Sequence, residues 1–182
     1  MSSPFIGGRY EDLQLLTVST GKGVDPVKSA VYRGALELFE FTADKELQIG
    51  GSIELTHSYQ EGSTLELHVH WATNSTNAAG GVVRWAYEYS LANPADGSVE
   101  TYVAFANSDQ TVAAGNRQYQ TNTFTIANIT NAGGTVSTLF SFTIKRIGTA
   151  VQDNYPVSAF VKSFALHYKI DTIGSNGLFS KN

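Results

Sequence analysis

The chain has 182 residues, enough for one domain with a continuous core. Hydrophobic residues make up 42% and charged residues 15%, which excludes a disordered composition, and a net charge of −4 with no Lys/Arg cluster argues against nucleic acid as a partner. Cysteine is absent, so disulfides and thiolate chemistry are excluded and the redox compartment is left open.

The first residues, MSSPFIGGRYEDL, have neither the basic n-region nor the apolar h-region of a secretion signal. No run reaches the ~20 apolar residues that cross a bilayer, so synthesis in the cytoplasm and no membrane partner are expected. Residues 1–30 scatter Phe5, Ile6, Leu13, Leu15, Leu16 and Val18 among Gly and Ser pairs and the turn signal Asp25-Pro26. They predict a partly irregular N-terminal arm with a short strand over Leu13 to Val18, packed locally or against a neighbour.

From Ala30 the apolar period becomes two. Leu36, Leu38 and Phe41 alternate with Glu37 and Glu40, Leu47 and Ile49 follow a polar turn, and Ile53, Leu55, His57 and Tyr59 share one face. Glu61-Gly62 reads as the turn of a hairpin into LELHVHW, where Leu65, Leu67, Val69 and Trp71 face one way and Glu66, His68 and His70 the other. RWAYEYSL sets Trp85, Tyr87, Tyr89 and Leu91 on one face. Asn93-Pro94 and Asp96-Gly97 then turn the chain into VETYVAFA, in which Tyr102 and Ala104 face outward. NSDQTVAAGNRQYQ reads as a polar loop before the strand NTFTIANI and the Gly133-Gly134 turn. Phe140, Phe142 and Ile144 alternate with Ser141, Thr143 and Lys145. In the last run Phe164, Leu166, Tyr168 and Ile170 point inward against Ser163, Ala165, His167, Lys169 and Asp171.

No window shows a helical period, so the fold class is all-β: an antiparallel β-sandwich, jelly-roll-like, of about 8–9 strands. The loops from Asn74 to Gly81 and Asn107 to Thr121 are too long for an up-and-down meander. A single sandwich domain is expected over 31–175, with a C-terminal tail at 176–182.

The sharpest chemical signal is His68 and His70, which project from one face of a strand and could share a metal, with His57 or His167 as a third ligand. Gly62, five residues, then His68 and His70 resembles the first half of the cupin motif, whose jelly-roll fold agrees. The glutamate that motif expects next is replaced by Asn74 and Ser75, and residues 100–125 hold no histidine for its second half. The expectation is therefore no metal and no cofactor, with a structural role for the histidines. His57, beside Leu55 and Tyr59, reads as a half-buried structural residue. No nucleophile motif is present, and Glu66, Glu88 and Glu100 read as charges on solvated strand faces, not as a glycosidase pair. Trp71, Trp85, Tyr87 and Tyr89 alternate inward, as core and not as a sugar platform.

The blocks HSYQEGSTLELHVHW, RWAYEYSL, IKRIGTAVQDNY and FALHYKIDTIGS together resemble small virion structural proteins of tailed bacteriophages. The residues that carry the resemblance are His57, Glu61, Gly62, His68, His70, Trp71, Trp85, Arg146, Asp171, Gly174 and Ser175. It implies a non-enzymatic β-sandwich in the virion, a capsid decoration (cement) protein that binds the major capsid protein or another virion protein and forms a homo-oligomer, a trimer. The arm, about residues 1–30, is expected to help fix the protein to its capsid partner or to a sister subunit. Two alternatives stand beside it: a tail or receptor-binding (fibre) accessory module, and a cupin-like metal-binding protein using His68 and His70.

Overall fold

The computed structural model describes residues 9–15, 17–19, 25–26, 28–73, 76–77, 80–93, 101–113, 115–116, 119–126 and 136–171. The strands are β1 (Arg9–Leu15), β2 (Thr17–Ser19), β3 (Asp25–Pro26), β4 (Lys28–Arg33), β5 (Leu36–Phe41), β6 (Glu46–Glu54), β7 (Leu65–Ala72), β8 (Thr76–Asn77), β9 (Val82–Ala92), β10 (Thr101–Thr111), β11 (Gly115–Asn116), β12 (Tyr119–Ile126), β13 (Leu139–Ile147) and β14 (Ala159–Ile170). One six-stranded sheet runs β12-β7-β14-β5-β4, with β1 also paired to β14. The other runs β10-β9-β13-β6-β2, with β3 on β6, and a two-stranded ribbon joins β8 to β11. Every pairing is antiparallel except the short β3–β6 contact.

From β5 onward the chain passes from sheet to sheet. β5, β7, β12 and β14 lie in the first sheet and β6, β9, β10 and β13 in the second. This alternation gives the jelly-roll-like sandwich its long connections. The strand total exceeds the expected 8–9 because the partly irregular arm expected over 1–30 contributes β1 to β3 and the start of β4, and the two-residue strands β8 and β11 add a further pair. These strands pair with both sheets of their own chain.

The inward faces follow the sequence alternation. Leu65, Leu67, Val69 and Trp71 of β7, Phe140 and Ile144 of β13, and Leu166 and Tyr168 of β14 are all 0% exposed. Aromatic rings stitch the two sheets together. Trp71 meets Trp85 at 5.8 Å, Phe142 meets Phe164 at 5.8 Å and Phe124 meets Tyr87 at 4.5 Å between centroids. A large apolar side chain taken fully out of water contributes about 1.5–3 kcal/mol, so this layer dominates the favourable side of folding.

Two expectations are corrected. The stretch around Glu61-Gly62 is not a hairpin, because β6 and β7 lie in different sheets. Residues 55–64 cross between them, anchored at one end by Leu55 N–H donating to Thr138 O (2.8 Å) and at the other by Gln60 N–H donating to Lys169 O (2.7 Å). Gly62 does turn the chain, at φ 74°, a left-handed conformation that glycine adopts without steric cost. The second correction concerns the start of the expected polar loop. Asn107 to Thr111 continue β10, paired with Val82 to Ala86 of β9. The turn signals at 94–97 and 133–134, and the tail 176–182, lie outside the described residues.

Candidate functional site

The outer face of the first sheet gathers chemistry because three strands bring polar residues into one row. Asp12 of β1 pairs with His167 of β14, and His167 pairs with Glu66 of β7. In the next row Ala165 of β14 stands opposite His68. The small Ala165 side chain, 1% exposed, lets the His68 ring lean across to His167, with ring centroids 4.0 Å apart.

Glu66, His68 and His167 thus offer a carboxylate oxygen and two imidazole nitrogens, all within 4.8 Å of one another. Glu66 Oε2 lies 3.6 Å from His68 Nε2 and 4.0 Å from His167 Nδ1. His167 Nε2 is in direct contact with the Asp12 carboxylate. His68 Nε2 is buried and has no hydrogen-bond partner among the described residues.

The four histidines therefore divide differently from the sequence expectation. His68 and His167 meet, Glu66 joins them, and His70 stands beside His68, with ring centroids 5.8 Å apart, turned toward β12. His70 Nδ1 shares hydrogen bonds with Tyr119 Oη and, at 3.2 Å, with Thr121 Oγ1, and its ring stacks on Tyr119. Burial, and secondarily the neighbouring His68, hold the His70 imidazole below the usual histidine range, which favours the neutral ring. His57 lies in the crossover and shares a 3.2 Å hydrogen bond with Ser137 Oγ. Ser137 is a non-glycine residue in the left-handed region, at φ 61°. His57 is half-buried, as its apolar neighbours suggested.

The member that sequence reasoning passed over as a ligand is Glu66. Its parity with His68 was visible, but its approach to His167 depends on the β7–β14 register, which no local pattern encodes.

The other face differs. On the second sheet a groove of ≈ 330 Å³ runs over Gly50, Ser52, Ser90, Ser141 and Thr143 beside Glu88 and Tyr102. Tyr102 donates to Glu88 Oε2 (2.7 Å), a bond that raises the phenol's pKa. Glu66 and Glu88 sit on opposite outer faces with the core between them, so they do not form a carboxylate pair. Glu100 lies outside the described residues. Trp71 and Trp85 are fully buried, and Tyr87 and Tyr89 pack half-buried against the same core cluster, which makes all four part of the core.

Fold and site together define an all-β sandwich of jelly-roll type with a histidine-bearing outer face. No protein-family model matches the chain, and no curated protein matches it in sequence. Among solved structures it is similar to the xylan-binding module CBM15, at 10% identity over 90% of this chain and 100% of that one with a TM-score of 0.43. It is also similar to a Family 16 Carbohydrate Binding Module-2, at 17% identity over 80% and 86% with a TM-score of 0.41. A third similar chain belongs to infectious bursal disease virus, Gx strain, at 16% identity over 85% and 41% with a TM-score of 0.30. These similarities are of β-sandwich architecture.

Proposed function

We propose that this chain is a non-enzymatic structural protein of a tailed-bacteriophage virion, a decoration protein that binds the outer surface of the head through protein-protein contacts as a homo-oligomer, a trimer. The observation that supports this reading is what the residues of the virion-protein resemblance do in the fold. Trp71 packs on Trp85, and Arg146 is buried in an ion pair with Asp153. Glu61 Oε1 accepts from Val136 N–H (3.1 Å), His57 holds Ser137, and Asp171 N–H donates to Ser58 O (3.3 Å). Members that hold the architecture support a structural reading over a reaction centre. Among the described members, His68 and His70 are the exceptions, half-buried on the outer face of the first sheet.

The surface suits contacts of this kind. β4 and β10 each end a sheet and leave one side of their backbone without a partner strand among the described residues. Val31 and Leu36, 59% and 53% exposed, flank the β4–β5 turn, and Tyr102 on β10 is 63% exposed. Apolar groups beside open backbone edges serve a repetitive protein surface. Mixing the purified protein with heads that lack decoration and sedimenting them tests the reading. Saturable co-sedimentation is expected, and protein left wholly in the supernatant contradicts it.

A further inference from the structure

We propose that Glu66, His68 and His167 form a binding site for a divalent first-row transition cation of the zinc type, oriented by Asp12. This inference is independent of the virion reading and rests on three features of the outer face. The first is the donor set: two imidazoles and one carboxylate match the ligands such cations take, and three protein donors leave a coordination position open to water or to a partner's side chain.

The second is the unused nitrogen. His68 Nε2 is buried without a hydrogen-bond partner among the described residues and lies 3.6 Å from Glu66 Oε2. A buried polar atom left unpaired is destabilising, and a cation placed between the imidazole and the carboxylate removes that cost. The third is the tautomer of His167. An ionised carboxylate only accepts hydrogen bonds, so in the neutral ring the Asp12 contact places the proton on Nε2 and leaves the Nδ1 lone pair to face Glu66. That lone pair lies 4.0 Å from Glu66 Oε2. A carboxylate that orients a metal-bound histidine through its other nitrogen is the usual outer support of such sites.

The closure needed is small. Donors at zinc bond lengths in a tetrahedron sit about 3.3 Å apart, against 3.6 and 4.0 Å for the two pairs with Glu66 and within 4.8 Å for the two imidazoles. Glu66, whose side chain is 39% exposed, is free to make the adjustment, while the strands carrying His68 and His167 are fixed by the register of β7 and β14.

The test uses the full chain, prepared without an affinity tag and stripped with EDTA, titrated with Zn²⁺ in competition with a chromophoric chelator. One Zn²⁺ per chain is expected, lost in His68→Ala and in His167→Ala and weakened about tenfold to a hundredfold in Asp12→Asn. Far-ultraviolet circular dichroism and thermal unfolding of each variant confirm that it folds. Glu66→Gln, which keeps the side-chain shape, is expected to bind more weakly than wild type. On the unmodified protein, ¹⁵N resonances of the histidine rings provide a reading that needs no variant: Zn²⁺ is expected to shift His68 Nε2 and His167 Nδ1. An isotherm unchanged in the His68→Ala/His167→Ala double variant, or shifts confined to His57, overturns the proposal.

Discussion

Arg146 shows how one residue can tie the two sheets together. It occupies the next inward position after Phe140, Phe142 and Ile144, and it is 0% exposed. All five of its N–H donors are used. Nε and Nη2 bind the two oxygens of Asp153 (2.9 and 2.7 Å), Nη1 donates to Phe41 O and Val157 O, and Nη2 donates to Tyr155 O. Asp153 Oδ2 also accepts from Arg84 N–H (3.0 Å), so the carboxylate is satisfied as well. Removing one partner of such a pair leaves the other charged and buried, which costs about 3–5 kcal/mol. Arg146→Met is therefore expected to lower the unfolding free energy measured by chemical denaturation by that much, and a loss under about 1 kcal/mol would contradict this account of the pair. Arg146 shares the parity of Phe140, Phe142 and Ile144, but its partners, the Asp153 carboxylate and three backbone carbonyls, are brought to it by the fold and could not be read from the sequence. Asp109 gives a milder, pH-dependent case. Both hydrogen bonds from Arg84 hold its carboxyl below the ordinary value of 3.8, and partial burial opposes the shift. A depressed folded-state pKa makes the contribution fully present above that ordinary value and removes it as pH falls through the depressed one. A ¹³C NMR titration of Asp109 is expected to give a midpoint below 3.8; a midpoint at or above that value speaks against the ion pair.

At the scale of elements, strand faces were legible and strand partners were not. The alternation in β7, β13 and β14 is local, so parity alone separated Trp71 from His70 and Phe164 from His167. The stretch from His57 to Trp71 looked like a hairpin because two alternating runs flank Glu61-Gly62, yet the sheet to which each run belongs is set by long-range packing. Asn107 to Thr111 looked like a loop because an edge strand with an exposed face can be polar without losing its ladder. The arm is the clearest case of tertiary context: β1 pairs with β14 over seven positions, from Arg9↔Ile170 to Leu15↔Phe164. Removing residues 1–15 strips a strand from β14 and exposes its backbone. The truncated protein is expected to unfold at a lower temperature and to lose amide exchange protection at Leu166 to Ile170. Unchanged protection there would show that β1 adds nothing to the sheet.

For the molecule as a whole, composition and period were enough to give an all-β sandwich, because 42% hydrophobic residues in short alternating runs can bury themselves only face to face. The same two sheets explain why the outer faces differ. One brings Asp12, Glu66, His68 and His167 into neighbouring rows, and the other is floored by glycine and small hydroxyl residues beside Glu88 and Tyr102. Neither face was legible as a unit, since each is assembled from strands far apart in the chain. The architectural roles of Trp71, Trp85, Arg146 and Glu61 support a protein whose work is to present surfaces, and the exposed apolar edges at β4 and β10 supply them. The most direct test of the proposed function is whether this chain occurs in purified tailed-phage virions and at what copy number, measured by quantitative mass spectrometry against the major capsid protein. A decoration protein is expected at a fixed stoichiometric ratio to the capsid protein, and a chain absent from the particle, or present at only a few copies, contradicts it.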